Sequence, residues 1–207
     1  MLSHSVRSSY WKSFRQKAHI LLGDGYKAAL GKIRQTEWEE NDISGFIARK
    51  IDNLLTGELN FTPQYVNFQV VEQQPVNRPG KYGSRRHLID IVIRCPQRGK
   101  TVAVFAFEAK RLRTNGFSIG KYTGKDGMGC FLHDEYTEKM PEAAMVGYFQ
   151  DKDALYWEKQ LCGKLTVPLR SISVVSTLRI EFKTEHTRNS GNKIDLYHIF
   201  LDCKPHL

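Results

Sequence analysis

The sequence contains no long apolar run. A helix that spans a bilayer needs about 20 consecutive apolar residues, and no segment of these 207 residues approaches that length. The stretch 1–17 also lacks the apolar centre of a signal peptide, and the run Ile20-Leu21-Leu22 that follows is too short to supply one. The sequence therefore predicts no membrane association and an intracellular, cytoplasmic location.

Cysteine is scarce and widely spaced. The four residues, Cys95, Cys130, Cys162 and Cys203, show none of the paired spacings of a zinc site or a disulfide framework. We expect reduced thiols in the core.

Acidic residues are outnumbered by basic ones. There are 31 Lys and Arg residues against 22 Asp and Glu, which gives a net charge of +9. Such an excess favours a polyanionic partner, although charge alone does not identify one. The chain length and a hydrophobic content of 41% suit one domain with a single core and an appendage at one end.

The first helical pattern covers residues 10–34. Apolar residues recur at helical spacing, and Gly23-Asp24-Gly25 predicts a break. The polar side carries Lys and Arg, which could follow a phosphate backbone or form an ordinary solvated face. We therefore divide the chain into a basic helical segment, 1–35, and a main domain, 36–207.

A second helix is predicted from Thr36 or Glu37 to Leu55, with Gly57 as its C-cap. Apolar residues recur every three or four positions and define one face of this helix. Glu40 falls within about 30° of the centre of that face, so it is expected to point toward the core. Alternatively, Glu39 and Glu40 only complement the positive end of the helix dipole.

Two strands form the centre of the predicted fold. Residues 87–93 and 102–107 are apolar on both alternating faces, which is typical of strands covered on both sides. The connection between them contains Pro96 and Gly99 and predicts an antiparallel hairpin. Each strand carries an acid where a hydrophobic residue would be expected: Asp90 in the first and Glu108 at the end of the second.

Asp90, Glu108 and Lys110 require a common explanation. Glu108 and Lys110 point to the same face of their strand, and Asp90 can lie beside them. A buried charge costs several kcal/mol unless it is paired or bound to a metal. Two carboxylates could hold a hard divalent cation, with Lys110 as a compact positive charge beside it. The alternative is a salt bridge between Glu108 and Lys110, with Asp90 capping a turn.

Cationic, glycine-rich segments flank these strands. Residues 77–86 lead into the first strand, and residues 116–129 follow the second. Lys and Arg neutralise phosphates and Gly lets a backbone approach them, although ordinary solvated loops have the same composition. The candidate nucleic-acid contacts are Lys81, Arg85, Arg86, Arg111, Arg113, Lys121 and Lys125.

The remaining segments give coarser predictions. Strands are predicted at 65–74, 176–186 and 193–203, and helices at 130–139 and 152–164, while residues 143–150 fit either a strand or a helix. His186 and His198 lie on predicted strands and are expected to have no catalytic role.

Asp90, then seventeen residues, then Glu108-x-Lys110 resembles the core of the PD-(D/E)XK nuclease superfamily, which includes many restriction enzymes and Holliday-junction resolvases. Ile89 stands where the family name has Pro. The resemblance covers residues 37–113 as a motif. It implies an α/β fold, with a restriction-endonuclease-like mixed central sheet flanked by helices. Residues 108–150 also resemble small bacterial proteins of this kind that are linked to defence against phage.

The resemblance implies a metal-dependent endonuclease that hydrolyses nucleic-acid phosphodiester bonds in restriction or phage defence, with DNA as the expected substrate and RNA as the alternative. Asp90, Glu108 and Glu40 would hold Mg²⁺, which Mn²⁺ can replace, and Lys110 would orient or activate the attacking water. Two alternatives remain: a catalytically silent DNA-binding module of the same fold, or a subunit of a larger complex. A homodimer or a partner protein is also consistent with the resemblance.

Overall fold

The structure is a computed structural model that describes residues 4–35, 38–57, 65–76, 86–96, 102–136 and 140–205. Its helices are α1 (His4–Ile33), α2 (Glu40–Thr56), α3 (Ile119–Thr123), α4 (Met128–Leu132) and α5 (Ala154–Cys162). Its strands are β1 (Gln69–Pro75), β2 (Leu88–Cys95), β3 (Ala103–Leu112), β4 (Glu142–Phe149), β5 (Arg170–Ile172), β6 (Glu181–Thr187) and β7 (Lys193–Asp202).

The seven strands form one mixed sheet in the order β1-β2-β3-β4-β7-β6-β5. The middle of the sheet, β3-β4-β7, is parallel, and the pairs on either side are antiparallel. The predicted hairpin of β2 and β3 is confirmed, with Ile91 opposite Phe107. The central strands are buried on both faces, which explains why they are apolar at nearly every position.

Helices cover both faces of the sheet. The core cluster on one face includes residues of α1 and α2, and the cluster on the other face includes residues of α3, α4 and α5. The predicted class, a mixed α/β sheet flanked by helices, is confirmed. None of the helices in the described ranges is both long enough and apolar enough to cross a membrane.

Helix α1 runs through Gly23-Asp24-Gly25 without interruption, so the predicted break was wrong. The two glycines allow neighbouring segments to approach closely. A Cβ atom at Gly25 would lie 2.5 Å from Cγ1 of Ile51 in α2, and one at Gly23 would lie 2.4 Å from Oγ1 of Thr177. The two glycines therefore mark close packing against α2 and residues 176–178, not a helix break.

Helix α1 packs on the sheet over most of its length. His19 is fully buried, and its Nδ1 lies 2.8 Å from Oε1 of Glu181 on β6. Burial lowers the pKa of His19, so the neutral ring donates this hydrogen bond. Tyr26 donates its hydroxyl to the carbonyl oxygen of Asp202, at the end of β7, at 2.7 Å. The predicted boundary after residue 35 falls beside residues 36–37, which lie outside the described residues.

Helix α2 begins at Glu40, three or four residues later than predicted. It ends as predicted, with Gly57 in the left-handed conformation at a φ of 90°. Glu40 is therefore the first residue of the helix.

The predicted helix at 130–139 is present only at its start. The chain forms two five-residue helices, α3 and α4, and turns at 133–136, and residues 137–139 lie outside the described residues. Asp134 has a φ of 58°, in the left-handed region, which a continuing helix cannot adopt. A close backbone approach separates α3 from α4, since a Cβ atom at Gly127 would lie 2.2 Å from the carbonyl oxygen of Tyr122.

The C-terminal half matches the predictions more closely. Residues 142–149 form a strand, and α5 begins after its N-cap Asp153. Strands β6 and β7 form an antiparallel hairpin, although β6 begins at Glu181, five residues later than predicted. The short strand β5 was not predicted. All four cysteines are free; Cys130 and Cys203 are buried, but Cys162 is exposed, contrary to expectation.

Candidate active site

Strands β2 and β3 separate at one end of their hairpin. Their paired residues end at Ile91 and Phe107, whereas β3 continues beside β4 to Leu112. Alternate N–H groups of a strand point to the same side. The N–H groups of Ala109 and Arg111 therefore point toward the gap that β2 leaves.

Two carboxylates occupy this gap as hydrogen-bond acceptors. Asp90 Oδ2 accepts the N–H of Ala109 at 2.7 Å, and Glu40 Oε2 accepts the N–H of Arg111 at 2.7 Å. Asp90 belongs to β2 and Glu40 begins α2, so a strand and a helix both supply acids to the same edge of β3. This explains why an acid is tolerated at each position.

Lys110 lies between the carboxylates. Its Nζ is 2.7 Å from Glu108 Oε1, 3.1 Å from Glu40 Oε1 and 2.7 Å from the carbonyl oxygen of Ala109. An ammonium group has three N–H donors, and each has an acceptor here. The structure thus brings together the four predicted residues Asp90, Glu108, Lys110 and Glu40.

Burial perturbs the ionisation of these groups. The side chains of Asp90 and Glu108 are buried, and burial raises the pKa of Asp90 to about 6, although Lys110 and the Ala109 N–H oppose the shift. Burial, together with the charge of Asp90, raises the pKa of Glu108 to about 8. Burial alone would lower the pKa of Lys110, but the surrounding carboxylates raise it above its ordinary value. At neutral pH Lys110 is charged and Glu108 holds a proton.

Tyr136 closes the other side of Glu108. Its buried hydroxyl lies 2.6 Å from Glu108 Oε2 and 2.9 Å from the carbonyl oxygen of Leu88. A hydroxyl has one hydrogen to donate. If the hydroxyl donates its hydrogen to Leu88, it accepts a hydrogen bond from the protonated carboxyl group of Glu108. This arrangement agrees with the raised pKa of Glu108. Tyr136 therefore connects a candidate ligand to the strand that carries Asp90.

We expect Tyr136→Phe to lower the free energy of unfolding by about 1 to 3 kcal/mol, because it leaves buried polar atoms without a partner. Urea unfolding at pH 6 in EDTA measures the change. The matched control is Tyr156→Phe, whose hydroxyl forms no hydrogen bond within the described part of the chain; its expected change is below about 0.5 kcal/mol. Equal stability of the two variants would show that the Tyr136 hydroxyl contributes nothing.

The donor set suits a hard cation held by few protein ligands. Asp90 and Glu108 are buried carboxyl groups whose raised pKa values show that the protein alone does not fully compensate their charge. Mg²⁺ is commonly held by one or two carboxylates together with waters and substrate phosphates. Both oxygens of Glu40 and both oxygens of Glu108 lie within hydrogen-bond distance of protein groups, so a bound cation would have to displace some of these contacts. Within the described ranges, no three His, Cys, Asp or Glu residues are grouped to hold a metal.

Two of the predicted phosphate contacts meet at Phe117. The guanidinium carbon of Arg111 lies 3.7 Å from the centre of that ring, and Nζ of Lys121 lies 4.8 Å from it. Arg111 is buried and paired with Glu39 at 2.9 Å, so a phosphate would have to replace that carboxylate. Lys121 is exposed.

The other predicted contacts are spread along the chain. Lys125 is exposed, and Arg86 and Arg113 are half-buried. Lys81 and Arg85 lie outside the described residues.

Known proteins give no family assignment. No protein-family model, no curated protein and no solved structure significantly matches this chain. Functional inference therefore rests on the site itself.

Sequence reasoning missed the residues that hold the start of α2 in place. The carbonyl oxygen of Trp38 accepts hydrogen bonds from Nε2 of Gln150, at 2.7 Å, and from Nη1 of Arg111, at 3.4 Å. Gln150 is buried directly after the apolar strand β4, and a polar residue at the end of a central strand was a usable signal. Tyr136 carried no comparable signal, because nothing in its sequence spacing relates it to Glu108.

Two polar residues near the site have partners within the protein. Ser44, one turn after Glu40 on α2, has its hydroxyl 3.0 Å from the hydroxyl of Tyr148. His198 is buried and hydrogen-bonded to Tyr122 and Thr184, and burial lowers its pKa to about 3. His198 is therefore neutral at neutral pH.

Proposed function

We propose that this protein is a metal-dependent nuclease that hydrolyses phosphodiester bonds of nucleic acid, with DNA as the expected substrate. The observation that carries the proposal is the position of the Lys110 ammonium group between Glu108 and Glu40, with Asp90 beside them at the separation of β2 and β3. A structural ion pair needs one carboxylate for one lysine. Three acids around Lys110 are an excess that stability does not explain, because buried ion pairs contribute little to it.

We further propose a restriction-endonuclease-like fold. The mixed sheet, the hairpin that carries Asp90 and Glu108, and the helix that supplies Glu40 all support it. A role in restriction or phage defence rests on the sequence resemblance alone, as does a possible homodimer or protein partner.

Each residue has a separate role in the proposed reaction. Asp90 and Glu108 would hold Mg²⁺ or Mn²⁺, and a bound ion of this kind polarises the scissile phosphate and lowers the pKa of a coordinated water. The longest of the three Lys110 contacts, to Glu40, is the one that Lys110 would exchange for the attacking water. Its positive charge then offsets the negative charge that develops in the transition state. Glu40 would hold that water or complete the ligand set.

One observation favours the alternative of a silent binding module. Both oxygens of Glu40 and both oxygens of Glu108 already lie within hydrogen-bond distance of protein groups. A network that is complete without a ligand could serve structure alone. Binding without cleavage is the result that distinguishes this alternative.

The test is cleavage of supercoiled plasmid and of single-stranded DNA with Mg²⁺ or Mn²⁺, compared with EDTA. We expect Asp90→Asn to lower the rate by at least about 100-fold, because it removes a charged ligand from the reacting centre. The matched control is Asp52→Asn, an exposed acid on α2, which should cut like the wild type. Equal cutting by Asp90→Asn would assign the activity elsewhere. DNA binding in EDTA without any cleavage would favour the binding module.

A further inference from the structure

A cleft opens at the carboxyl ends of β4 and β7, between the end of α1 and the start of α5. Its volume is about 680 Å³, within the range of ligand sites. Buried apolar side chains form its floor, among them Phe149, Phe200 and Leu201. The proposed reaction does not use this cleft.

The rim of the cleft carries a positive excess. Four cations line it, Lys27, Arg34, Arg179 and Lys204, against the two acids Asp153 and Asp202.

The acids of the rim already have partners. Asp202 Oδ2 is 3.3 Å from Arg34 Nη2 and 3.6 Å from Lys204 Nζ, and Asp153 accepts an N–H at the start of α5. Lys27 and Arg179 are exposed and form no ion pair within the described residues. A ligand that suits this cleft combines an apolar body with negative charge.

The cleft is aligned with the candidate active site. Lys110 of β3 pairs with Gly147 of β4, and Gly147 pairs with Phe200 of β7, so the three residues form one row across the sheet. Neighbouring strands lie about 4.8 Å apart, which places the Cα atoms of Lys110 and Phe200 about 10 Å apart. That distance is about three phosphate spacings of a stacked strand.

We propose that the cleft binds an unpaired nucleotide of a single-stranded nucleic acid that extends from the active site, an inference that rests on the proposed function. Lys27 and Arg179 contact its phosphates, and the apolar floor receives its base. A duplex would reach the cations of the rim but leave the floor empty, because its bases are stacked inside it. Unstacked bases are the part of a nucleic acid that such surfaces recognise.

The test measures binding of fluorescein-labelled dT12 by anisotropy in EDTA, so that cleavage plays no part. We expect Lys27→Gln/Arg179→Gln to bind about 10-fold more weakly than the wild type, with a salt slope lower by about 1 to 1.5. The matched control, Lys164→Gln/Lys193→Gln, removes two exposed lysines away from the cleft and should change affinity less than about 3-fold. The two double variants should differ much less in their affinity for a blunt 12-base-pair duplex than in their affinity for dT12.

Equal affinity of the two double variants for dT12 would overturn the proposal. It would also be overturned by equal losses for dT12 and duplex, which would indicate general attraction of anions. Failure of the nuclease proposal is distinguishable: dT12 would then bind through Lys27 and Arg179 without any metal-dependent cleavage. If instead the protein cuts DNA and the cleft variant binds and cuts like its control, only the cleft proposal fails.

Discussion

Lys110→Ala is expected to reduce metal-dependent cleavage by about 100- to 1,000-fold, the cost of removing one preorganised electrostatic group from a reacting centre. Among the described residues, Lys110 is the only one with a cationic side chain within hydrogen-bond distance of Glu108 and Glu40. All three N–H groups of its ammonium are directed into the site. Its removal takes away both the positive charge and the group that orients water. Initial rates on plasmid at saturating metal measure the effect.

A direct effect of Lys110→Ala on cleavage must be distinguished from loss of folding, because the substitution leaves Glu108 and Glu40 without their ammonium partner. Lys110→Gln keeps a polar side chain at the site and should be similarly inactive while remaining folded by circular dichroism. The matched control is Lys164→Ala, an exposed lysine near the end of α5. Binding of dT12 in EDTA should stay within about 2-fold of the wild type in all three variants. Full activity of a folded Lys110 variant would remove the site from the mechanism.

The second large effect is on the pH dependence of stability in EDTA. Burial raises the pKa of Glu108 from 4.5 to about 8, so the folded protein holds a proton that the unfolded chain releases. The contribution of Glu108 to the free energy of unfolding therefore falls as pH rises toward 8. Between pH 6.5 and 8 this contribution falls by about 2 kcal/mol, since one pKa unit corresponds to about 1.4 kcal/mol.

The histidines act in the opposite direction over part of this window. Burial lowers the pKa values of His19, His186 and His198, so near pH 6.5 the unfolded chain holds about half a proton more on each of them and releases it as pH rises toward 8. The effect of Glu108 is therefore measured as a difference between variants. Glu108→Gln, a neutral residue of the same shape, should lose the fall that Glu108 causes, so its free energy of unfolding should rise relative to that of the wild type between pH 6.5 and 8. Glu185→Gln, at an exposed position, should retain the wild-type profile. Parallel profiles of the wild type and Glu108→Gln would contradict the raised pKa of Glu108.

The local parts of the site could be predicted because each follows from the regular spacing of side chains along one strand or one helix. Alternation along β3 places Glu108 and Lys110 together, and the apolar stripe of α2 directs Glu40 inward. Buried charges must then gather, since none is tolerated alone. The sequence could not show that Glu40 and Asp90 accept N–H groups of β3, because that depends on where β2 stops pairing.

Features that depend on remote segments were predicted wrongly or not at all. Gly23 and Gly25 resembled a helix break because their neighbours, Thr177 and Ile51, come from elsewhere in the chain. The contact of Tyr136 with Glu108 is of the same kind, since it joins segments 28 positions apart without any periodic pattern. A glycine-rich sequence can indicate either close packing of the backbone against a neighbouring segment or a flexible backbone. The two cases can be told apart only when the neighbouring segment is known.

The attachment of α1 to the far end of the chain has a consequence for biosynthesis. His19 contacts a residue 162 positions later, and Tyr26 contacts one 176 positions later. At about 5 to 20 residues per second, a ribosome needs on the order of 10 to 30 s after α1 to make the strands that contact His19 and Tyr26. Such distant pairing also slows spontaneous refolding. Helix α2 can cover part of α1 early, but the side of α1 that faces β6 and β7 stays exposed until those strands are made, which makes it a target for nascent-chain chaperones.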